Sequence, residues 1–205
     1  MLVLAPMARA DWDVTDPWKM HFPQLPNNQG AWMGGNILAD DWQCTESGPV
    51  TDIHFWTFKV PIQANVPVYA IICTNSPGNV NRPWSLPDLQ VWDRYFQPGE
   101  YTVRDWVVEG VQHWQFNIED IPTPFVQKKG EIYWLGLRIQ QEPMANWVDW
   151  NFSNDHFMDQ AAQWNGTEWY LLGGDMAFVI TPEPATLCLL GAGVVGLVAR
   201  RIRRK

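Results

Sequence analysis

Tryptophan is the residue type in this sequence whose abundance first suggests a chemistry. The chain has 14 Trp among 205 residues, more than one domain of this size needs to fill its core. Indole faces stack on sugar rings, and nearby Asp, Asn or Gln side chains can bond the hydroxyl groups. Candidate carbohydrate contacts are the Trp residues with such neighbours: Trp84, Trp92, Trp106, Trp147 and Trp150. The alternative for each is packing in the core or covering a sheet edge.

Two pairs of residues could form a covalent link or bind a metal ion. Cys44 and Cys73 could form a disulfide in an oxidising compartment, or they could be two buried free thiols. Asp40 and Asp41 are the best candidates for a structural Ca²⁺ site, because Ca²⁺ prefers carboxylate oxygens. The alternative is that Asp40 caps a turn and Asp41 is solvated, since adjacent strand residues point to opposite faces. No other cofactor is expected.

Motifs of catalysis do not stand out in the chain. There is no G-x-S-x-G and no H-E-x-x-H, the patterns typical of serine hydrolases and zinc proteases. We therefore expect a non-catalytic protein. The alternative is a hydrolase acting on extracellular polysaccharide, which would need a cleft with two close carboxylates of perturbed pKa.

The charge distribution argues against nucleic acid as a partner. Residues 11–183 contain 8 basic and 22 acidic residues, a net charge of −14. A body this acidic repels phosphate backbones.

The elements that must position these side chains are short strands. Runs rich in Val, Ile, Tyr, Phe and Trp alternate with turn signals, which predicts an all-β fold, an antiparallel β-sandwich or jelly roll, over residues 11–180. Asn165-Gly166 and Glu109-Gly110 are the strongest hairpin signals. Residues 11–36 are predicted to be an extended arm, and 157–164 is the one weak helix candidate. The candidate strands are 37–44, 50–60, 68–74, 89–95, 101–108, 111–118, 131–140, 147–152, 169–172 and 176–180.

The two ends have the features of targeting segments. Residues 1–10 contain a short apolar run that ends in Ala8-Arg9-Ala10, so they resemble a partial signal peptide cleaved after Ala10. Residues 185–199 carry no charge and are predicted to form a single transmembrane helix extended by snorkelling side chains. The basic residues that follow should stay on the cytoplasmic side of the membrane. They are Arg200, Arg201, Arg203, Arg204 and Lys205.

Residues 181–205 resemble the PEP-CTERM sorting signal of Gram-negative bacteria. Pro182-Glu183-Pro184 precedes the apolar segment and the Arg-rich end, which are the three parts of that signal in order. The resemblance implies export with signal peptidase and exosortase as partners, anchoring in the inner membrane during sorting, and delivery to the cell surface or the biofilm matrix. Cleavage near Pro182–Pro184 belongs to the same implication.

The body is similar to a domain of unknown function found in secreted PEP-CTERM proteins of planctomycete-type bacteria. The residues that carry this similarity are 39–56, 147–157 and 175–180. It implies export and a β-sandwich but no activity. From sequence, we therefore expect an exported structural or adhesive protein that binds exopolysaccharide through exposed Trp, and we expect those Trp residues to form one contiguous patch.

Overall fold

A computed structural model describes residues 11–58, 66–139 and 148–181. In these ranges the chain forms strands and contains no helix, and all pairings between strands are antiparallel. The predicted all-β class is therefore confirmed. Among the described residues, no helix is long and apolar enough to cross a membrane. The predicted transmembrane helix at 185–199 lies outside them.

The strands, in chain order, are β1 (Pro26–Trp32), β2 (Ile37–Gln43), β3 (Gly48–Val50), β4 (Asp52–Phe58), β5 (Val68–Ser76), β6 (Leu86–Phe96), β7 (Tyr101–Val108), β8 (Val111–Ile118), β9 (Phe125–Gln127), β10 (Ile132–Ile139), β11 (Asp149–Ser153), β12 (Ala162–Trp164), β13 (Trp169–Leu171), β14 (Asp175–Met176) and β15 (Phe178–Thr181).

The strands form two large sheets. The seven-stranded sheet has the order β1-β11-β4-β8-β7, with β14 paired to β11 and β15 paired to β4. The six-stranded sheet has the order β13-β12-β2-β10-β5-β6. β3 and β9 form a separate ribbon. Because neighbours in each sheet come from distant parts of the sequence, most of the pairing is non-local.

One main core contains side chains from both large sheets. The six-stranded sheet contributes residues such as Leu38, Ile72 and Leu135, and the seven-stranded sheet contributes Phe55 and Phe116, all fully buried. Alternate residues of each strand point the other way. A second, smaller apolar cluster therefore lies on the outer face of the six-stranded sheet.

The two predicted hairpins are present. Glu109-Gly110 joins β7 to β8 with positive φ at both residues, 50° and 81°, as a tight two-residue hairpin requires. Residues 165–168 join β12 to β13, and Gly166 has a φ of 99°. The backbone N–H of Asn165 donates to the carbonyl of Glu168 at 3.2 Å across this turn.

The segment 11–36, predicted to be an extended arm, contains β1, and its Trp12, Met20 and Met33 are buried in the core. Two local predictions are wrong. Residues 157–164 form bends and then β12 rather than a helix. The single strand predicted at 50–60 is divided, because Thr51 separates β3 from β4.

The N-terminal arm, residues 11–16, covers part of the outer face of the seven-stranded sheet. The carbonyl of Trp12 accepts hydrogen bonds from the side chains of Gln115 and Arg104. The Trp12 ring packs edge-on against Trp56, with ring centroids 5.9 Å apart. This part of the face is therefore covered by the chain itself.

Candidate ligand-binding surface

The outer face of the six-stranded sheet carries a row of side chains that crosses all six strands. Strand register places Trp169 opposite Trp164, and Trp164 opposite Ile37. Arg138 lies one position beyond the Leu137–Leu38 pair, beside Ile37. The row continues from Arg138 to Tyr69 and from Tyr69 to Tyr95. Five spacings between strands give the row a length of about 24 Å. We call these six residues the aromatic row.

All members of the aromatic row reach solvent. Tyr95 is 43% exposed, and the other five are partly exposed. Ile37, Tyr69 and Trp169 pack on the small apolar cluster of the outer face, so the row is supported from below while its upper surface stays open. Aromatic rings held in this way lose little conformational entropy when they bind a ligand.

Ring contacts fix the two ends of the aromatic row. Trp164 and Trp169 lie with ring centroids 5.4 Å apart and planes inclined at 54°. Tyr69 and Tyr95 are stacked at 4.3 Å. The guanidinium of Arg138 lies 5.3 Å from the centroid of the Tyr69 ring and donates to the Tyr95 hydroxyl at 3.0 Å. Such contacts hold the rings in defined orientations.

Polar groups border the tyrosine end. The Tyr69 hydroxyl donates to the carboxylate of Asp93 at 3.4 Å, and the Gln90 amide donates to the same carboxylate at 3.1 Å. Partial burial, followed by the charge of Asp93, raises the pKa of Tyr69. The Tyr69 hydroxyl therefore stays protonated at neutral pH and remains a hydrogen-bond donor.

The adjacent row of the same face is made of small residues. Strand register places Ala39 between Ala162 and Gly136. Each of the three is two residues along its strand from a member of the aromatic row. A Cβ atom at Gly136 would lie 2.5 Å from Ile71 and 2.9 Å from Ile37. Glycine is needed at this position because the Ile71 and Ile37 side chains leave no room for a Cβ atom.

The five Trp residues selected from sequence do not form one patch. Trp84 is 38% exposed but precedes β6, at the opposite end of that strand from Tyr95. Trp92 is partly buried and donates to the carbonyl of Thr123 at 2.9 Å. Trp106 packs on Trp56 at 5.4 Å, on the other large sheet.

Trp150 is the clear correction among them. It is fully buried, and its indole N–H donates to the carbonyl of Ala177 at 2.7 Å. The prediction that Trp150 contacts a ligand is therefore wrong, because the side chain lies in the core between Phe55 and Phe178. Trp147 lies outside the described residues.

Sequence reasoning missed the residues that do line a continuous surface. The pair Trp164 and Trp169 had a usable signal, because the Asn165-Gly166 turn between them predicts a hairpin that brings them opposite each other. Tyr69, Tyr95 and Arg138 had none. Their alignment depends on the register of β10, β5 and β6, and β10 lies far from the other two strands in sequence.

The structure differs from the interpretation in which Asp40 caps a turn and Asp41 is solvated. Both side chains are fully buried, so neither is a solvated residue. Asp40 faces the main core, where its carboxylate accepts from the Met176 N–H at 2.6 Å and the Gln24 amide at 3.1 Å. Asp41 points to the other face, and neither of its carboxylate oxygens has a partner at hydrogen-bond geometry.

These buried carboxylates are protonated more readily than usual. Burial, followed by the charges of Asp175 and Asp159, raises the pKa of Asp41 to about 8. Burial and the neighbouring Asp175 also hold the pKa of Asp40 well above its usual range. In the described part of the chain, no three His, Cys, Asp or Glu side chains are grouped closely enough to hold a metal ion.

Of the two alternatives for Cys44 and Cys73, a disulfide or two buried free thiols, the structure has the second. Cys44 packs in the main core and Cys73 in the outer cluster, so they lie on opposite faces of the six-stranded sheet. β10 also separates their strands. Burial raises the pKa of each thiol to about 12.

The fold and the surface define an antiparallel all-β domain with an open aromatic face. The chain belongs to the family described as Domain of unknown function (DUF7901), whose family model matches residues 20–187. The similarity of the body to a domain of unknown function is thus confirmed; its planctomycete-type origin stays a prediction.

A second family model, the PEP-CTERM protein-sorting motif, matches residues 181–204. The predicted sorting signal is confirmed. The protein is therefore exported, processed by an exosortase and anchored transiently at the membrane by its C-terminal segment. The residues of the motif after Thr181, including Pro182, Glu183 and Pro184, lie outside the described residues, as do Ala8 and Ala10. No curated protein and no solved structure matches this chain.

Proposed function

We propose that this exported protein is a non-catalytic binding module that holds polysaccharide at the cell surface or in the extracellular matrix. The aromatic row is the observation that carries the proposal. It offers two ring pairs, one at each end of a row about 24 Å long. The rings are partly open to solvent and bordered by hydrogen-bonding groups. A ligand with repeated apolar faces and hydroxyl groups, such as a sugar chain, fits this arrangement.

The architecture supports the proposal. We infer that the two large sheets, which share one core, pack as a β-sandwich of the jelly-roll type. The four inner strands of the six-stranded sheet are each hydrogen-bonded on both sides, and they hold the edge strands β13 and β6 in place. A rigid platform suits binding of a long polymer, since little ordering is needed when the ligand arrives.

The charge of the protein narrows the ligand class. With a net charge of −14 between residues 11 and 183, the body repels polyanions at low ionic strength. The aromatic row contains one charged member, Arg138, which is already engaged with Tyr69 and Tyr95. We therefore propose a neutral polysaccharide as the ligand.

The hydrolase alternative is less well supported. The carboxylates with raised pKa, those of Asp40, Asp41 and Asp175, are at most 2% exposed. A glycosidic bond would have to reach such groups in an open cleft. Their environment fits a role in packing, and the structural Ca²⁺ considered for Asp40 and Asp41 has no support from the described residues beyond these two carboxylates.

Affinity electrophoresis tests the proposal with the full chain purified in detergent. Soluble β-glucan is the neutral probe and alginate is the acidic one. We expect retardation by β-glucan only. Replacing Trp164 with Ala should weaken binding about tenfold, equivalent to about 1.4 kcal/mol, because one of the two ring pairs is lost. Trp fluorescence should shift on binding in the native protein.

Tyr170→Ala is the matched control. Tyr170 belongs to the same hairpin as Trp169 and is 41% exposed, but it alternates to the other side of β13. We expect this variant to bind within about twofold of the native protein. Equal affinity of the Trp164→Ala variant and the native chain would refute the proposal, and release of free sugar would favour the hydrolase.

A further inference from the structure

The sorting motif begins at the last residue of a buried strand of the domain. β15 ends at Thr181, which is 6% exposed and pairs with Asp52 of β4. Three residues, Pro182 to Pro184, separate Thr181 from Ala185, where the apolar segment starts. Four steps of about 3.8 Å join Thr181 to Ala185, so the distance between their Cα atoms is at most about 15 Å.

The start of the described chain lies beside this point. The Asn117 amide donates to the carboxylate of Asp11 at 2.8 Å, and its carbonyl oxygen lies 2.8 Å from Nδ1 of His54. The other ring nitrogen of His54, Nε2, lies 3.3 Å from the hydroxyl of Thr181. A continuous hydrogen-bond chain thus joins the residue after the predicted signal-peptide cleavage site to the residue before Pro182. We call the region around this chain the processing end.

The tryptophan end of the aromatic row, Trp164 and Trp169, lies far from the processing end, whereas Tyr95 at the other end of the row is followed by the short turn into β7. β2 starts in the row, at Ile37, and runs to Gln43, a length of about 20 Å. Just beyond Gln43, the N–H of Thr45 donates to the carbonyl of Lys19, and the N–H of Lys19 donates to the carbonyl of Ile180. The far end of β2 is therefore next to β15 and the processing end.

We propose that the processing end is the membrane-facing surface of the anchored protein and that the tryptophan end of the aromatic row points away from the bilayer. The short connection between Thr181 and Ala185 holds the processing end at the lipid headgroups. The same placement brings both processing junctions to one side of the folded domain. Because the orientation follows from chain length and strand direction, it does not depend on what the aromatic row binds.

Quenching by labelled lipids tests this orientation in the full chain. The chain, with Cys188→Ser to remove the thiol of the apolar segment, is reconstituted in phosphatidylcholine–phosphatidylglycerol liposomes that carry nitroxide on the headgroups. A dye is attached at Glu46→Cys in one variant and at Glu168→Cys in another. Both positions are exposed. The carbonyl of Glu46 accepts from Gln127, which also contacts Lys19 at the processing end, whereas Glu168 lies in the hairpin turn of the aromatic row.

We expect quenching at position 46 to exceed quenching at position 168 at least threefold in the liposome-bound chain. A second pair of variants carries a flexible spacer of about twelve Gly and Ser residues between Thr181 and Pro182. Because this spacer frees the domain from the bilayer, it should lower quenching at position 46 to the level at position 168. Equal quenching without the spacer, stronger quenching at position 168, or no effect of the spacer would each overturn the proposal. The Cys188→Ser chain without an introduced cysteine, treated with the same dye, measures any labelling of the buried Cys44 and Cys73.

Discussion

The seven-stranded sheet carries part of its outward side chains under the N-terminal arm, whereas the six-stranded sheet leaves a row of aromatic side chains uncovered. On the covered face, Trp12 and Trp56 are at most 2% exposed, and His54, Gln115 and Asn117 are buried with hydrogen-bond partners. On the open face, Trp164 and Trp169 are half-buried and contact each other.

This difference shows that an abundance of Trp has more than one cause in a single chain. The covered face uses indole rings to bury area against a segment of the same protein. The open face presents rings that have no further segment of the described chain to pack against along their upper surface. Exposed aromatic groups in a continuous patch are a feature of interaction sites, so the open face is where a ligand should bind.

The largest expected effect separates the two faces by stability. Trp56→Ala should destabilise the protein by about 3–5 kcal/mol, because it leaves a cavity beneath Trp12 and Trp106. Trp169→Ala should cost less than about 1.5 kcal/mol, since that ring is already partly hydrated. Urea unfolding of both variants, followed by circular dichroism, measures the two values.

The affinity for β-glucan is the second measurement on Trp56→Ala and Trp169→Ala, and there we expect the larger loss in Trp169→Ala. The folded fraction of Trp56→Ala should keep the native affinity for β-glucan, while Trp169→Ala should lose affinity and keep its fold. Similar losses of stability in the two variants would mean that the faces do not differ in the way the burial of their indoles indicates.

Sequence patterns predicted the strands and hairpins better than the surfaces. The runs at 68–74, 101–108 and 111–118 correspond closely to β5, β7 and β8, because strand propensity and turn residues act locally. The role of residues 11–36 could not be predicted. Trp12 and Met20 are buried by contacts with strands far along the chain, such as β4 and β15.

From sequence we predicted that some Trp residues would be exposed, but not which residues form the candidate site. Counting Trp indicated that some rings would be exposed, but Trp150 looks the same as Trp164 in sequence, since both lie in short strands beside Asn. Only the pairing of strands distinguishes them. Neighbouring Asp residues were also a poor guide, because Asp40 and Asp41 are buried on opposite faces of β2.

Replacing Asp41 tests whether a carboxyl group buried in a closed part of the fold lowers the free energy of unfolding. The unfolded chain releases this proton near pH 3.8, while the native carboxyl holds it to about pH 8. Stability should therefore fall as pH rises between these values, since the native state binds more protons. Asp41→Asn should raise the free energy of unfolding at pH 8 by roughly 3 kcal/mol, after allowing for the unpaired amide that replaces the carboxyl.

The same Asp41→Asn variant at pH 4 supplies the comparison, because the native carboxyl is then protonated and resembles the amide. We expect little or no gain there. Urea unfolding at both pH values measures the difference. A gain of equal size at pH 4 and pH 8 would show that charge is not the cause. A loss at pH 8 would show that the backbone groups of Asp159 and Asp41, which lower this pKa, stabilise the carboxylate more than burial disfavours it.

His54 gives the smallest effect and tests the covered face directly. Burial, opposed by the bond to Asn117, lowers its pKa from 6.5 to about 4, so the unfolded chain binds a proton before the native state does. Stability from this group is present above pH 6.5 and is lost as pH falls towards 4. The native protein should lose about 2 kcal/mol between pH 7 and pH 5 beyond the loss seen in His54→Gln. His21, whose pKa burial lowers to about 3, titrates in both proteins and cancels in the difference. Parallel pH profiles for the two chains, measured by urea unfolding, would mean that water reaches His54 and that the arm does not seal this face.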